Sequence, residues 1–175
     1  MIIAQQKRKE NIVEYLLYMW QVEDLIRANL FDIEKIRQTL VNQYEQPEEI
    51  KQQILQWYEE IIDMMHREGV MESGHIQLNS NMIVSLTSLH LRLLKDPRET
   101  VYGALYTKTL PYIVQLRSKS GGVETPELET CFTAIYGYLL LRVQKKEISQ
   151  ETLDAIRQIN TLLSFLAIKY RENDE

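Results

Sequence analysis

The chain has 175 residues, a length that points to one domain able to bury its own core without metal or disulfide staples. A formal net charge of −5 argues against broad, non-specific binding to nucleic acid or anionic membranes. Six glycines and four prolines are too few for a collagen-like, disordered or turn-rich β chain, and the lone Cys131 excludes an intramolecular disulfide.

Residues 5–30 read as one long helix. Lys7, Glu10, Glu14 and Gln21 mark a narrow polar edge, and most of the remainder, from Ile12 to Ile26, is apolar. Glu23, Asp24 and Arg27 depart from that pattern, because they fall on the side that Leu16, Leu17, Met19 and Trp20 make apolar. Charges there survive burial only when paired or hydrogen-bonded, and Glu23 and Arg27 have the (i, i+4) order of an ion pair. The stretch Tyr15-Leu-Leu-Tyr-Met-Trp-Gln-Val-Glu-Asp-Leu-Ile-Arg-Ala28 resembles the opening of a bacterial domain-of-unknown-function family of small helical proteins. The resemblance implies a soluble bacterial helical protein. It brings no activity and no functional residue with it.

A second helix is expected over 32–44, with Ile33, Ile36, Leu40 and Val41 inward, and a third over 47–68, ended by Gly69. Residues 71–79 show no periodicity and read as a loop. The fourth helix, 81–95, carries Met82, Ile83, Leu86, Leu89 and Leu93 on one face. Asp96-Pro97-Arg98-Glu99 has the form of an N-cap, a first-turn proline and an acidic third residue, opening a fifth helix over 97–120. Pro111 lies inside that helix and predicts a kink near residues 107–110; Ser120-Gly121-Gly122 ends it.

The sixth helix, about 126–146, is apolar or aromatic on every side, through Leu128, Cys131, Phe132, Ile135, Tyr136, Leu139, Leu140 and Val143. Such a helix needs neighbours all round, which predicts a central position, with Gly137 permitting a close approach. Thr125 is its expected N-cap. Ser149 caps a last helix over 150–171, and 172–175 reads as a frayed tail. The fold class is therefore all-α: a single-domain bundle of six or seven helices around the central helix.

Motifs that carry chemistry are weak. Glu59, Asp63 and His66 share a helix face, but they lie outside the apolar arc and have no second copy, so no metal site and no cofactor is expected. His90 sits inside an apolar face, and with Glu23, Asp24 and Arg27 it defines a candidate polar pocket near the first helix. Asn160 is placed on the inner side of the last helix. Ten tyrosines more readily fill a core than stack on bases, because base stacking also needs an electropositive groove. No phosphate loop, nucleophile elbow, Cys-x-x-Cys pair or His-Glu-x-x-His helix is present.

Lys7, Arg8 and Lys9 precede an apolar stretch as in a signal peptide, but Glu14 and Gln21 interrupt it and no cleavage site follows. Residues 73–91 lack Asp, Glu, Lys and Arg but are too rich in Ser, Asn, Gln and His to span a membrane. The expectation is a soluble cytoplasmic protein that binds neither membrane nor nucleic acid. The leading functional expectation is a non-catalytic interaction protein, a homo-oligomer or the binder of a protein partner, with Tyr15, Tyr18 and Trp20 as the candidate interface. The alternative is a small-ligand-binding or enzymatic bundle that uses the polar pocket.

Overall fold

The computed structural model describes residues 2–119 and 125–174, which form eight α-helices and one 3₁₀ turn, with no strand among them. Contacts divide the chain into two compact units, one of residues 1–10 and 14–82, the other of residues 11–13 and 83–175.

α1 (Ile2–Glu10) and α2 (Ile12–Ala28) replace the single helix expected over 5–30, and all of α2 but its first two residues belongs to the first unit. Asn11 makes the break. Its Oδ1 accepts the Val13 N–H at 3.0 Å, as a helix N-cap does, so the chain restarts there instead of running on. Beyond α2, Leu30 and Phe31 hold left-handed φ angles of 57° and 60°, and the Phe31 N–H reaches back to Ile26 O at 3.1 Å. Asp32 caps α3 (Ile33–Thr39) by accepting the Glu34 and Lys35 N–H groups. The helix stops five residues before the expected 44, at Thr39, whose hydroxyl is drawn back to Lys35 O. The 3₁₀ turn Val41–Gln43 follows.

α4 (Glu48–Glu68) packs against α3 and the 3₁₀ turn, and it ends at Gly69, whose φ of 71° suits glycine. Leu16, Met19, Ile26, Ile36, Tyr58, Met65 and Ile76 are all but inaccessible. α5 (Gln77–Lys95) starts four residues ahead of the expected 81 and runs from the first unit into the second.

In the second unit, α6 (Thr100–Lys119) packs against α7 (Glu127–Val143) and α8 (Gln150–Asp174), and α7 packs against α8. Asp96 does not cap α6 directly. Its carboxylate takes the Arg98 backbone N–H and guanidinium, which closes a turn over 96–99 and delays the helix to Thr100. α6 passes through Pro111 unbroken, although the proline gives Thr107 O no amide donor. The expected stop at Ser120-Gly121-Gly122 lies outside the described residues. α7 starts after Pro126, which takes the cap position instead of Thr125; the Thr125 carbonyl accepts a hydrogen bond from Arg117.

Burial along α7 is uneven. Leu128, Cys131, Phe132 and Ile135 are buried, each worth about 1.5–3 kcal/mol at most for the larger aliphatic and aromatic side chains. Leu139, Leu140 and Val143 are exposed, Val143 at 78%. Among the described residues, neighbours on every side are thus absent from the C-terminal half, and a Cβ at Gly137 would meet none of their heavy atoms within 4 Å. The apolar periphery read from the sequence reflects a stripe that outruns its cover, and Gly137 serves no close approach. α8 continues through 172–174, where a frayed tail was expected, because the Asn173 amide bonds Lys169 O and Lys169 bridges Glu99 and Glu172. Asn160 is exposed, not inward.

Candidate functional sites

The first polar cluster is built on α2. Glu23 is fully buried, and the apolar residues around it would penalise its charge unless every oxygen were bonded. They are. Oε1 accepts the Ile76 N–H at 3.0 Å and the Asn79 amide at 2.8 Å, and Oε2 lies 2.5 Å from His75 Nδ1. All three partners flank the start of α5, so the carboxylate also faces the positive end of that helix. The His75 ring stacks on Trp20, with centroids 4.0 Å apart and planes at 8°, and it keeps 29% of its side-chain surface exposed.

One turn on, Arg27 holds the same loop by its other polarity. Nη1 donates to Asp24 Oδ1 at 2.9 Å, and Nη2 donates to Val70 O at 3.0 Å and Gly74 O at 2.5 Å. Of the two carboxylates the sequence offered Arg27, Glu23 or Asp24, the one beside it is therefore Asp24. Glu23 is committed instead to backbone and side-chain donors brought from 52 to 56 residues away.

The second cluster lies in the other unit. His90 is 2% exposed, and its Nδ1 is 2.6 Å from Tyr102 Oη. Nε2 faces Glu127 Oε2 at 3.7 Å, and Arg117 Nη1 stands 4.0 Å from the other Glu127 oxygen. Tyr106 meets the imidazole edge to face with centroids 5.2 Å apart. Burial pulls the His90 pKa below its ordinary value, partly offset by Glu127. A Tyr102 hydroxyl donating to Nδ1 and an Nε2–H directed at Glu127 fit the neutral ring. Burial pushes the Tyr106 hydroxyl up to about 12, helped by a hydrogen bond with Glu127, and burial raises Tyr102 as well. Burial also pushes the Cys131 thiol up to about 12, with Glu127 adding to the effect. A thiol so held is a packing group and a poor nucleophile.

A family model matches residues 1–175, the whole chain. The chain belongs to the family described as a domain of unknown function, DUF4924. No curated protein and no solved structure matches it. Chemistry for this DUF4924 chain must therefore come from its own side chains. Among its described residues, no helix is long and apolar enough to cross a membrane, and no three His, Cys, Asp or Glu side chains gather as a metal site would require. Glu59, Asp63 and His66 are exposed on α4, with the His66 ring 5.0 Å from that of Phe31.

Of the four residues proposed as one polar pocket, Glu23, Asp24 and Arg27 share α2 and bind one loop, while His90 sits in the second unit with partners of its own. The proposed interface residues are turned to other use. Tyr15 and Trp20 are buried, at 5% and 3% exposure, and Tyr18 is half-buried, so the surplus apolar surface of α2 is covered within the chain. Sequence reasoning missed His75 and Asn79, which fell in a stretch without periodicity. The available signal was Glu23 itself, a carboxylate on an apolar face that demanded donors from elsewhere.

Proposed function

We propose that the chain is a non-catalytic interaction protein that pairs with a second copy of itself through the C-terminal half of α7. The observation that carries this reading is the stripe Tyr136, Leu139, Leu140 and Val143. Its spacing of i, i+3, i+4 and i+7 continues the buried face of Phe132 beyond the end of its cover. Three large aliphatic side chains on one exposed helix face form a patch of the kind that marks association surfaces. Arg142, placed over the Tyr138 ring at 5.8 Å, supplies the aromatic and arginine composition typical of such surfaces.

A second copy suits the patch on two counts. A two-fold contact needs only one self-complementary surface, and two antiparallel helices also oppose their dipoles favourably.

Light scattering across a concentration series tests this. The wild type is expected as a dimer and Val143→Glu as a folded monomer, because Val143 contributes nothing to the interior. A wild type that stays monomeric up to about 1 mM, where even contacts of about 4 kcal/mol register, would overturn the reading.

A further inference from the structure

The exposed stripe on α7 has the same spacing in both directions. Tyr136, Leu139, Leu140 and Val143 are symmetric about a point between Leu139 and Leu140. Reversing the helix about that point carries Leu139 onto Leu140 and Tyr136 onto Val143. Exposure grows along the stripe, from half-buried Tyr136 to the nearly bare Val143. Reversal therefore lays the barest side chain of one copy on the aromatic ring of the other. A parallel copy would match the same spacing, so the direction of pairing has to come from elsewhere.

Charge supplies it. The first turn of α7 is acidic, with Glu127 and Glu129, and the last turn carries Arg142. Lys145 and Lys146 follow at once, held there because their N–H groups close the helix end on Arg142 O and Leu141 O. Glu127 is engaged with His90 and Arg117, but Glu129 lies two turns before Tyr136, on the same side of the helix as the stripe. A parallel pair would set each of the three cations beside its own copy and align two helix dipoles, and both effects oppose it. In an antiparallel pair centred between Leu139 and Leu140, the two copies of Lys145 stand about 15 Å or more apart, beyond the screening length in physiological salt. The same reversal brings the partner's Lys145 and Lys146 level with Thr133 and Ala134, about one turn from Glu129.

We propose that two copies pair antiparallel about an axis between Leu139 and Leu140, with Tyr136 against the partner's Val143 and Glu129 facing the partner's Lys145 and Lys146. This register rests on pairing through α7 and adds a direction to it. The stripe selects a reversed copy of itself, matched at its apolar centre and at its charged ends.

Cysteine cross-linking tests the register, because the native Cys131 is buried and stays out of the reaction. Tyr136→Cys and Val143→Cys chains are oxidised separately and as a mixture, with light scattering on the reduced samples. Equal positions of the two copies lie about 10 Å apart along the helix, too far for a disulfide, whereas the two different positions lie opposite. The mixture is expected to cross-link about tenfold faster than either variant alone. Faster cross-linking within each variant, or equal rates throughout, overturns the register while pairing through α7 stands. Reduced samples that stay monomeric overturn both. A check without new thiols uses charge: Glu129→Lys is expected to raise the dimer Kd about threefold or more, and adding Lys145→Glu and Lys146→Glu to that chain to restore it. A folded dimer without that recovery overturns the register.

Discussion

His90 is a neutral ring kept where a charged one would lack solvation. Its neighbours are Tyr102, Tyr106 and Arg117 from α6 and Glu127 from α7, and burial outweighs the Glu127 carboxylate in setting the direction of its shift. The unfolded ring protonates near the ordinary value of 6.5, the folded ring only at lower pH. Its contribution to stability is thus whole above 6.5 and drains away as the pH falls from there through the folded value. Urea midpoints measured against pH are expected to fall on that side in the wild type and to flatten in His90→Gln, which can still bond Tyr102. At Gly137 the expectation reverses what the sequence implied. With open space where a Cβ would go and an ordinary helical position, Gly137→Ala is expected to stabilise by about 0.5–1 kcal/mol. For a chain of this size that is a rise of a few degrees in a thermal melt, and a fall would show hidden crowding at that face.

At the scale of elements, the heaviest demands fall on α2, which clamps the loop 70–76 with opposite chemistries a turn apart. Glu23 accepts from an amide and Arg27 donates to carbonyls, so neither residue substitutes for the other and exchanging the two charges would leave both ends of the loop unserved. Arg27→Ala strips donors from Val70 O and Gly74 O. Bonds from a charged donor are worth about 1.5–3 kcal/mol each, less here because the side chain is 16% exposed and the carbonyls can recover water. The expected loss is about 2 kcal/mol in denaturant melts, with faster amide exchange across the loop, and Glu23→Gln should not recover it. Unchanged exchange would mean that the loop is held by other contacts. The helices themselves were readable because their apolar residues recur at 3–4 residue spacing. The break between α1 and α2 was readable too, in Asn11 followed three residues on by Glu14, where the polar run of residues 5–10 gives way to the apolar run from Ile12. The loop's geometry was not readable, because its three bonds to Glu23 span more than fifty residues and no local pattern records them.

For the whole molecule, composition and periodicity sufficed for the all-α class, while the distribution of burial did not follow from them. An apolar side chain is the same letter whether a neighbour covers it or solvent does. For α2 and α7 the sequence offered two nearly equal surpluses, and the fold covers Tyr15 and Trp20 of α2 while leaving Leu139, Leu140 and Val143 of α7 outside. Cys131, on the covered half of that helix, has a further consequence. It is the chain's one thiol, inaccessible and pushed up to about 12, so at neutral pH it is both shut away and protonated. A thiol reagent in solution can reach it only while the packing about Cys131 is open. The labelling rate of the native protein therefore acts as a clock for that opening, built in without any added probe.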